Sequence, residues 1–174
     1  MNDLYGNGLP TLPLAWLTAL ATSDLRLAVY GLRALYGVVR YLHLIGMAVF
    51  VGMVVMLDLR GLGLFTTEML APLRPRLGAV LSGAFWITIA TGVALFLYNP
   101  LGIGLHSMFL PKLLLVALGY AHAKTTRYLP GSCRAHAIAS LALWLLVIGA
   151  STWNHVERPV NVTAALRALS VGKP

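Results

Sequence analysis

Four long apolar runs constrain this chain more than any other feature. Val38–Asp58, Ala79–Tyr98, Leu110–Tyr128 and Ala135–Asn154 carry few charges. Each has about 20 residues, which at ~1.5 Å per residue matches a ~30 Å hydrocarbon core. Over its 174 residues the chain is 59% hydrophobic and only 10% charged, with mean hydropathy +0.80. A soluble domain of that length cannot hide so much apolar surface in one core, so the excess is expected to face lipid. The fold class this predicts is all-α integral membrane: a four-transmembrane-helix bundle with an N-terminal interfacial amphipathic helix.

The breaks between the runs have clear chemistry. Gly61, Gly63, Pro72 and Pro75 separate the first two, Asn99-Pro100-Leu101-Gly102 the second and third, and Pro130-Gly131 the last two. Pro111 falls in the first turn of the third run, where its missing N–H is harmless. Residues 1–37 read differently. Leu12–Ala21 is apolar but short, and Arg26, Arg33 and Arg40 recur every seven residues, which puts them on one helical face opposite Leu25, Val29, Leu32 and Leu35. That pattern predicts an amphipathic helix lying in the membrane interface, with a fifth span as the alternative. Residues 38–155 form the expected bundle and 156–174 a surface tail.

Four crossings place both termini on one side, side A; the loops after the first and third runs lie on side B. The formal net charge is +8, and the basic residues sit at the ends of the apolar runs, where they meet headgroups and set topology. Side B has three positives in each of two short loops (Arg60, Arg74, Arg76; Lys124, Arg127, Arg134), whereas the side A loop has Lys112 alone. Side B is therefore expected to be cytoplasmic and both termini outside. No basic stripe interleaved with stacking aromatics is present, so nucleic acid is not an expected partner. Cys133 is the sole cysteine, which excludes an internal disulfide and cysteine-based metal centres. Met1-Asn2-Asp3 lacks a basic n-region, which argues against a cleaved signal peptide. A serine-nucleophile elbow, a phosphate loop and a carboxylate pair are all missing from the sequence, which argues against hydrolytic and phosphoryl-transfer chemistry.

Polar groups inside apolar runs are the informative positions, because each is costly unless satisfied within the bundle. His43 has Gly46 at i+3 and Phe50 at i+7 on the same face. A histidine with a glycine one turn away suits a flat macrocycle held edge-on, the ring nitrogen ligating and the glycine making room. A histidine hydrogen-bonded to a neighbouring helix, with Gly46 permitting close contact, fits equally. In the third run Lys112, Leu115, Gly119 and His122 fall at i, i+3, i+7 and i+10, on one face. Lys112 would meet a haem propionate, an anion or an acidic side chain, ligate iron if deprotonated, or simply snorkel. The fourth run carries His136, Ser140, Ser151 and Asn154 on one stripe, with His155 turned away near side A. Helical rise sets His136 about 10 Å nearer the surface than His122, so a ligand pair there is not expected. His43, Lys112, His122 and His155 are the candidate metal ligands, and Gly46 and Gly119 the candidate cofactor-clearing glycines. Met47, Met53 and Met56 would suit soft metals, although Met47 and Met53 do not share a face.

Tyr41-Leu42-His43-Leu44-Ile45-Gly46, Gly52 and Leu57-Asp58-Leu59-Arg60 resemble the first helix of a bacterial four-helix membrane superfamily that includes the copper-resistance D-type proteins and the HemJ-type protoporphyrinogen oxidases. Thr91-Gly92-Val93-Ala94-Leu95 is similar to its second helix, and Phe109-Leu110-Pro111-Lys112-Leu113 with Ala121-His122 to its third. The match spans roughly residues 40–125 and is nearest to a branch with the Asp-Leu-Arg ending. The resemblance implies a bacterial inner-membrane protein holding b-type haem (haem b) through His43 and Lys112. A tryptophan common in the first helix of such proteins is missing, which sets the oxidase activity aside. The resulting expectation is a b-type haem protein in electron transfer, exchanging electrons with other membrane redox subunits or a quinone, as a monomer or an oligomer. Copper handling, or a cofactor-free accessory subunit of a larger membrane complex, are the alternatives.

Overall fold

The computed structural model describes residues 11–64, 74–125 and 134–156, with the side chains of 74, 75, 125 and 154–156 outside that description. Among the described residues the chain is entirely helical: α1 (Leu14–Ala21), α2 (Asp24–Gly31), a 3-10 turn (Arg33–Leu35), α3 (Tyr36–Gly61), α4 (Arg74–Tyr98), α5 (Pro100–Gly104), α6 (Phe109–Thr125) and α7 (Arg134–Val156). Cys133, Pro130-Gly131 and the 157–174 tail lie outside the described residues.

Local chemistry explains the punctuation. At the end of α3, Gly63 adopts φ +85°, its N–H donating to Arg60 O (2.9 Å) while Leu64 N–H donates to Leu59 O (3.0 Å). This pair of bonds around a left-handed glycine satisfies the orphan carbonyls of the last turn. Asn99 caps α5, its Oδ1 accepting from Gly102 N–H at 3.0 Å. The expected Asn-Pro-Leu-Gly break is thus a corner followed by one short helix, because Pro100 sits at its first turn with φ already helical.

The N-terminal segment departs from the single amphipathic helix expected. Ser23 ends α1 and begins α2, its Oγ accepting from Arg26 N–H at 3.3 Å. A 3-10 turn then separates α2 from α3. Arg26, Arg33 and Arg40 therefore lie on three different elements and not along one face, because α2 ends at Gly31, a poor helix former, and the 3-10 turn intervenes before α3. α1 docks on α5, where Leu17 is fully buried and its side chain covers Gly104.

α3 packs along α4 on one side and α7 on the other, and α6 packs along α7. α4 meets α6 through stacked rings, Phe85 on Tyr120 and Phe96 on Phe109, each pair 5.2 Å between centroids. The order around the bundle is α3–α4–α6–α7, with α3 and α6 diagonal. The core is aromatic at mid-height: Phe50 meets Trp144 edge-on at 4.6 Å and Phe85 at 5.3 Å, with Val54 and Ala84 beside them. Glycines set the spacing. A Cβ on Gly119 would stand 2.9 Å from Trp144 Cζ2, and one on Gly46 2.8 Å from Thr88 Oγ1.

Three stretches are long and apolar enough to cross a membrane: Arg33–Gly61, Arg76–Tyr98 and Arg134–Trp153. Only 17%, 6% and 17% of the residues in their apolar windows are buried, so much of that apolar surface is left uncovered by the chain itself. Leu114, Leu145, Leu146 and Trp86 are each more than half exposed. A contiguous apolar surface of this extent needs lipid or a partner to cover it.

Candidate functional site

The aromatic layer divides the polar interior of the bundle into two clusters, one towards each end. In the side A cluster, His43 of α3 turns to α4. Its Nδ1 lies 3.0 Å from Thr88 O and 3.1 Å from Thr91 Oγ1. A carbonyl only accepts, so Nδ1 carries the proton. The Thr91 hydroxyl hydrogen is used within α4, donating to Ile87 O at 2.6 Å, which leaves its lone pairs for the imidazole. Neutral His43 is thereby held as the tautomer with an unprotonated Nε2. The glycine against the ring is Gly92, where a Cβ would stand 3.2 Å from His43 Cε1.

These contacts revise the role of Gly46. It shares the buried face with Phe50, as expected, yet its missing Cβ accommodates Thr88 of α4 and opens no gap beside the imidazole. Gly119 is likewise occupied by the Trp144 ring. Both glycines serve helix contact. Thr88, Thr91 and Gly92, at i, i+3 and i+4 on α4, are the residues the sequence reading missed as site residues. Two threonines and a glycine at helical spacing opposite a histidine were a usable signal.

Lys112, in the first turn of α6, is partly buried, and its charge acts within electrostatic range of His43. His106, in the turn before α6, is partly buried at the same end, its carbonyl accepting from Phe109 N–H at 3.1 Å. The His155 side chain lies outside the described residues.

The second cluster lies towards side B. His122 Nε2 donates to His136 O at 3.2 Å, and the two imidazoles are 5.8 Å apart. The 10 Å offset expected between them is not found, because α6 and α7 form a hairpin that brings the end of one level with the start of the other. Asp58, from the last turns of α3, lies beside Ser140 of α7 and within electrostatic range of His122. Its Oδ2 is buried without a hydrogen-bond partner among the described residues.

His43 and His122 are not brought together. Asp58, at the level of His122, is 15 residues beyond His43 on one helix, about 22 Å at ~1.5 Å per residue. They therefore cannot ligate one iron. Among the described residues no group of three His, Cys, Asp or Glu side chains is placed to hold a metal ion. What the side A cluster provides is one imidazole of fixed tautomer, with a lysine nearby. No family model, curated protein or solved structure matches the chain.

Proposed function

We propose that this is a membrane-embedded b-type haem protein of electron transfer, in which His43 would hold the haem through Nε2. The observation that carries the reading is the bond from His43 Nδ1–H to the Thr88 carbonyl. Histidines that ligate metals characteristically donate their other ring N–H to a carbonyl or carboxylate, which fixes ring orientation and raises ligand basicity. The donor set therefore fits haem, whose bound iron would supply one-electron chemistry.

In this reading Thr88 and Thr91 orient the imidazole and Gly92 lets it seat against α4. Lys112 supplies the second ligand or the positive charge that meets a propionate. α6 is the fourth crossing: its 17 described residues reach about 25 Å at ~1.5 Å per residue, and the apolar run continues to Tyr128. The charge distribution supports an inner-membrane protein with both termini periplasmic.

The test is a pyridine haemochrome spectrum on protein purified after expression with ample haem. One haem b per chain is expected, with loss in His43→Ala and retention in His122→Ala. Haem-free wild-type protein overturns the proposal. The topology is checked with C-terminal fusions: an inactive alkaline phosphatase together with a bright fluorescent protein reverses it.

A further inference from the structure

A second site lies where the N-terminal helices meet the ends of the bundle. Arg26 and Tyr30 of α2, Arg33 of the 3-10 turn, Tyr36 of α3, and Tyr98 and Asn99 at the end of α4 line a cavity of about 480 Å³. That volume falls in the range of small-ligand sites, about 300–1,000 Å³.

Its chemistry is one-sided. The Arg26 guanidinium lies 4.4 Å from the centroid of the Tyr30 ring and that of Arg33 5.8 Å from the same ring, so two like charges converge on one aromatic. Arg26 Nε is buried and has no hydrogen-bond partner among the described residues. Among the described residues no carboxylate lines the cavity; Asp24, the nearest in sequence to Arg26, is exposed. Two convergent guanidiniums with an unsatisfied donor make a site for an anion, and the planar fork of arginine matches phosphate oxygens. The Asn99 Oδ1 is engaged by Gly102 N–H, which leaves its amide NH2 as a further donor. Tyr98 Oη donates to Leu32 O at 3.0 Å and the Tyr36 ring meets Tyr98 edge-on at 5.2 Å, so the cavity wall is braced.

Around it the surface is apolar. Leu25 is 60% exposed and Leu32 57%, and Leu35 is exposed beside them. Tyr30 and Tyr36 are exposed at the cavity, the kind of ring that is enriched at the headgroup level of a bilayer. A free phosphate would satisfy the guanidiniums and leave the leucines bare; a phosphate carrying acyl chains satisfies both. We infer that this cavity binds the phosphate of an anionic phospholipid, its acyl chains lying over the leucines of α2 and the 3-10 turn. The inference rests on the membrane reading above and is independent of haem.

The test is native mass spectrometry of the full chain in mild detergent, titrated with short-chain phosphatidylglycerol, with phosphatidylcholine and with inorganic phosphate. One phosphatidylglycerol per chain is expected, retained about tenfold or more over phosphatidylcholine, with inorganic phosphate failing to displace it at equal concentration. Arg26→Gln and Arg33→Gln each reduce that preference about tenfold, the scale of one charge-assisted hydrogen bond. Arg40→Gln, outside the cavity, leaves it unchanged. Circular dichroism verifies folding, and the exposed Arg33 carries the test should Arg26→Gln unfold the chain. Equal retention of both lipids, indifference to both arginine changes, or displacement by inorganic phosphate overturns the site. Membrane-fraction protein without a lipid preference overturns this site alone, and recovery in the soluble fraction overturns the membrane reading with it.

Discussion

Gly46 and Gly52 lie on the same helix and offer a matched pair of perturbations with opposite expected signs. A Cβ at Gly46 would stand 2.8 Å from Thr88 Oγ1, 3.3 Å from Ile87 Cγ2 and 3.4 Å from Ala84 O. The Thr88 hydroxyl cannot retreat freely, since it donates to Ala84 O at 2.8 Å. Gly46→Ala therefore pushes α3 from α4 by a few tenths of an ångström, an overpacking cost of about 1–3 kcal/mol. Against this, alanine gains about 1 kcal/mol of helix propensity. The net expectation is destabilisation by about 0–2 kcal/mol. At Gly52 nothing lies within 4 Å, so Gly52→Ala keeps the propensity gain without the clash. At about 2–4 °C per kcal/mol for a chain of this size, the two variants separate by several degrees, Gly52→Ala above wild type and Gly46→Ala at or below it. The assay is thermal unfolding followed by circular dichroism in one detergent. The same displacement strains the His43 bond to Thr88 O, so under the haem proposal Gly46→Ala alone would also shift the absorption maximum of the haem. Two variants melting within a degree of each other, or Gly46→Ala melting higher, would refute the close packing of α3 on α4.

Other outcomes follow from contacts elsewhere. Trp144→Ala removes the ring that fills the space between Gly119 and Phe50 and costs about 3–5 kcal/mol, read as the largest drop in melting temperature of any single core change. Ser140→Ala removes the hydroxyl beside Asp58 and costs about 0.5–1.5 kcal/mol, a loss that shrinks in an Asp58→Asn background; a double-mutant cycle measures the difference. Thr91→Val leaves the Thr88 carbonyl to hold the imidazole, so about 0.5–1.5 kcal/mol of stability is lost while haem stoichiometry stays at wild type, measured by thermal unfolding and haemochrome spectra.

The long helices were legible because length and hydropathy alone define them. α3 runs Tyr36–Gly61 against an expected 38–58, α4 Arg74–Tyr98 against 79–98, and α7 Arg134–Val156 against 135–154. Each observed helix extends past its apolar run into charged residues such as Arg60, Arg74 and Arg134, because backbone hydrogen bonding continues to the cap and hydropathy does not report caps. The side chains with polar roles were harder to pair. His43 was found from its cost in an apolar run, but its partners are a backbone carbonyl and a threonine that bonds its own helix, and neither signals a tertiary contact in sequence. Gly46 was assigned to ring clearance when the clearing glycine is Gly92, since helical periodicity defines a face but not which neighbour covers it. The cavity beside Arg26 and Arg33 was hidden by the heptad spacing of the arginines, which suggested one continuous surface where α2 ends at Gly31 and the 3-10 turn intervenes before α3.

The division of the interior into two clusters limits how the proposed electron transfer can run. Phe50, seven residues beyond His43 and eight before Asp58 on α3, packs on Phe85 and Trp144 and so sets an aromatic layer between the His43 and His122 ends. His122, towards the other end, also gives one ring nitrogen, Nε2, to a backbone carbonyl, that of His136. A single haem held by His43 would lie towards the end of the bundle at which the N-terminal helices and the arginine cavity stand. Exchange with a donor or acceptor would then take place at that face, within reach of a quinone dissolved in the same leaflet or of a redox subunit docked beside it. The Asp58–Ser140 pair and His122, at the opposite end, would serve to close the bundle towards side B, which is why His122→Ala is expected to spare haem and His43→Ala to abolish it.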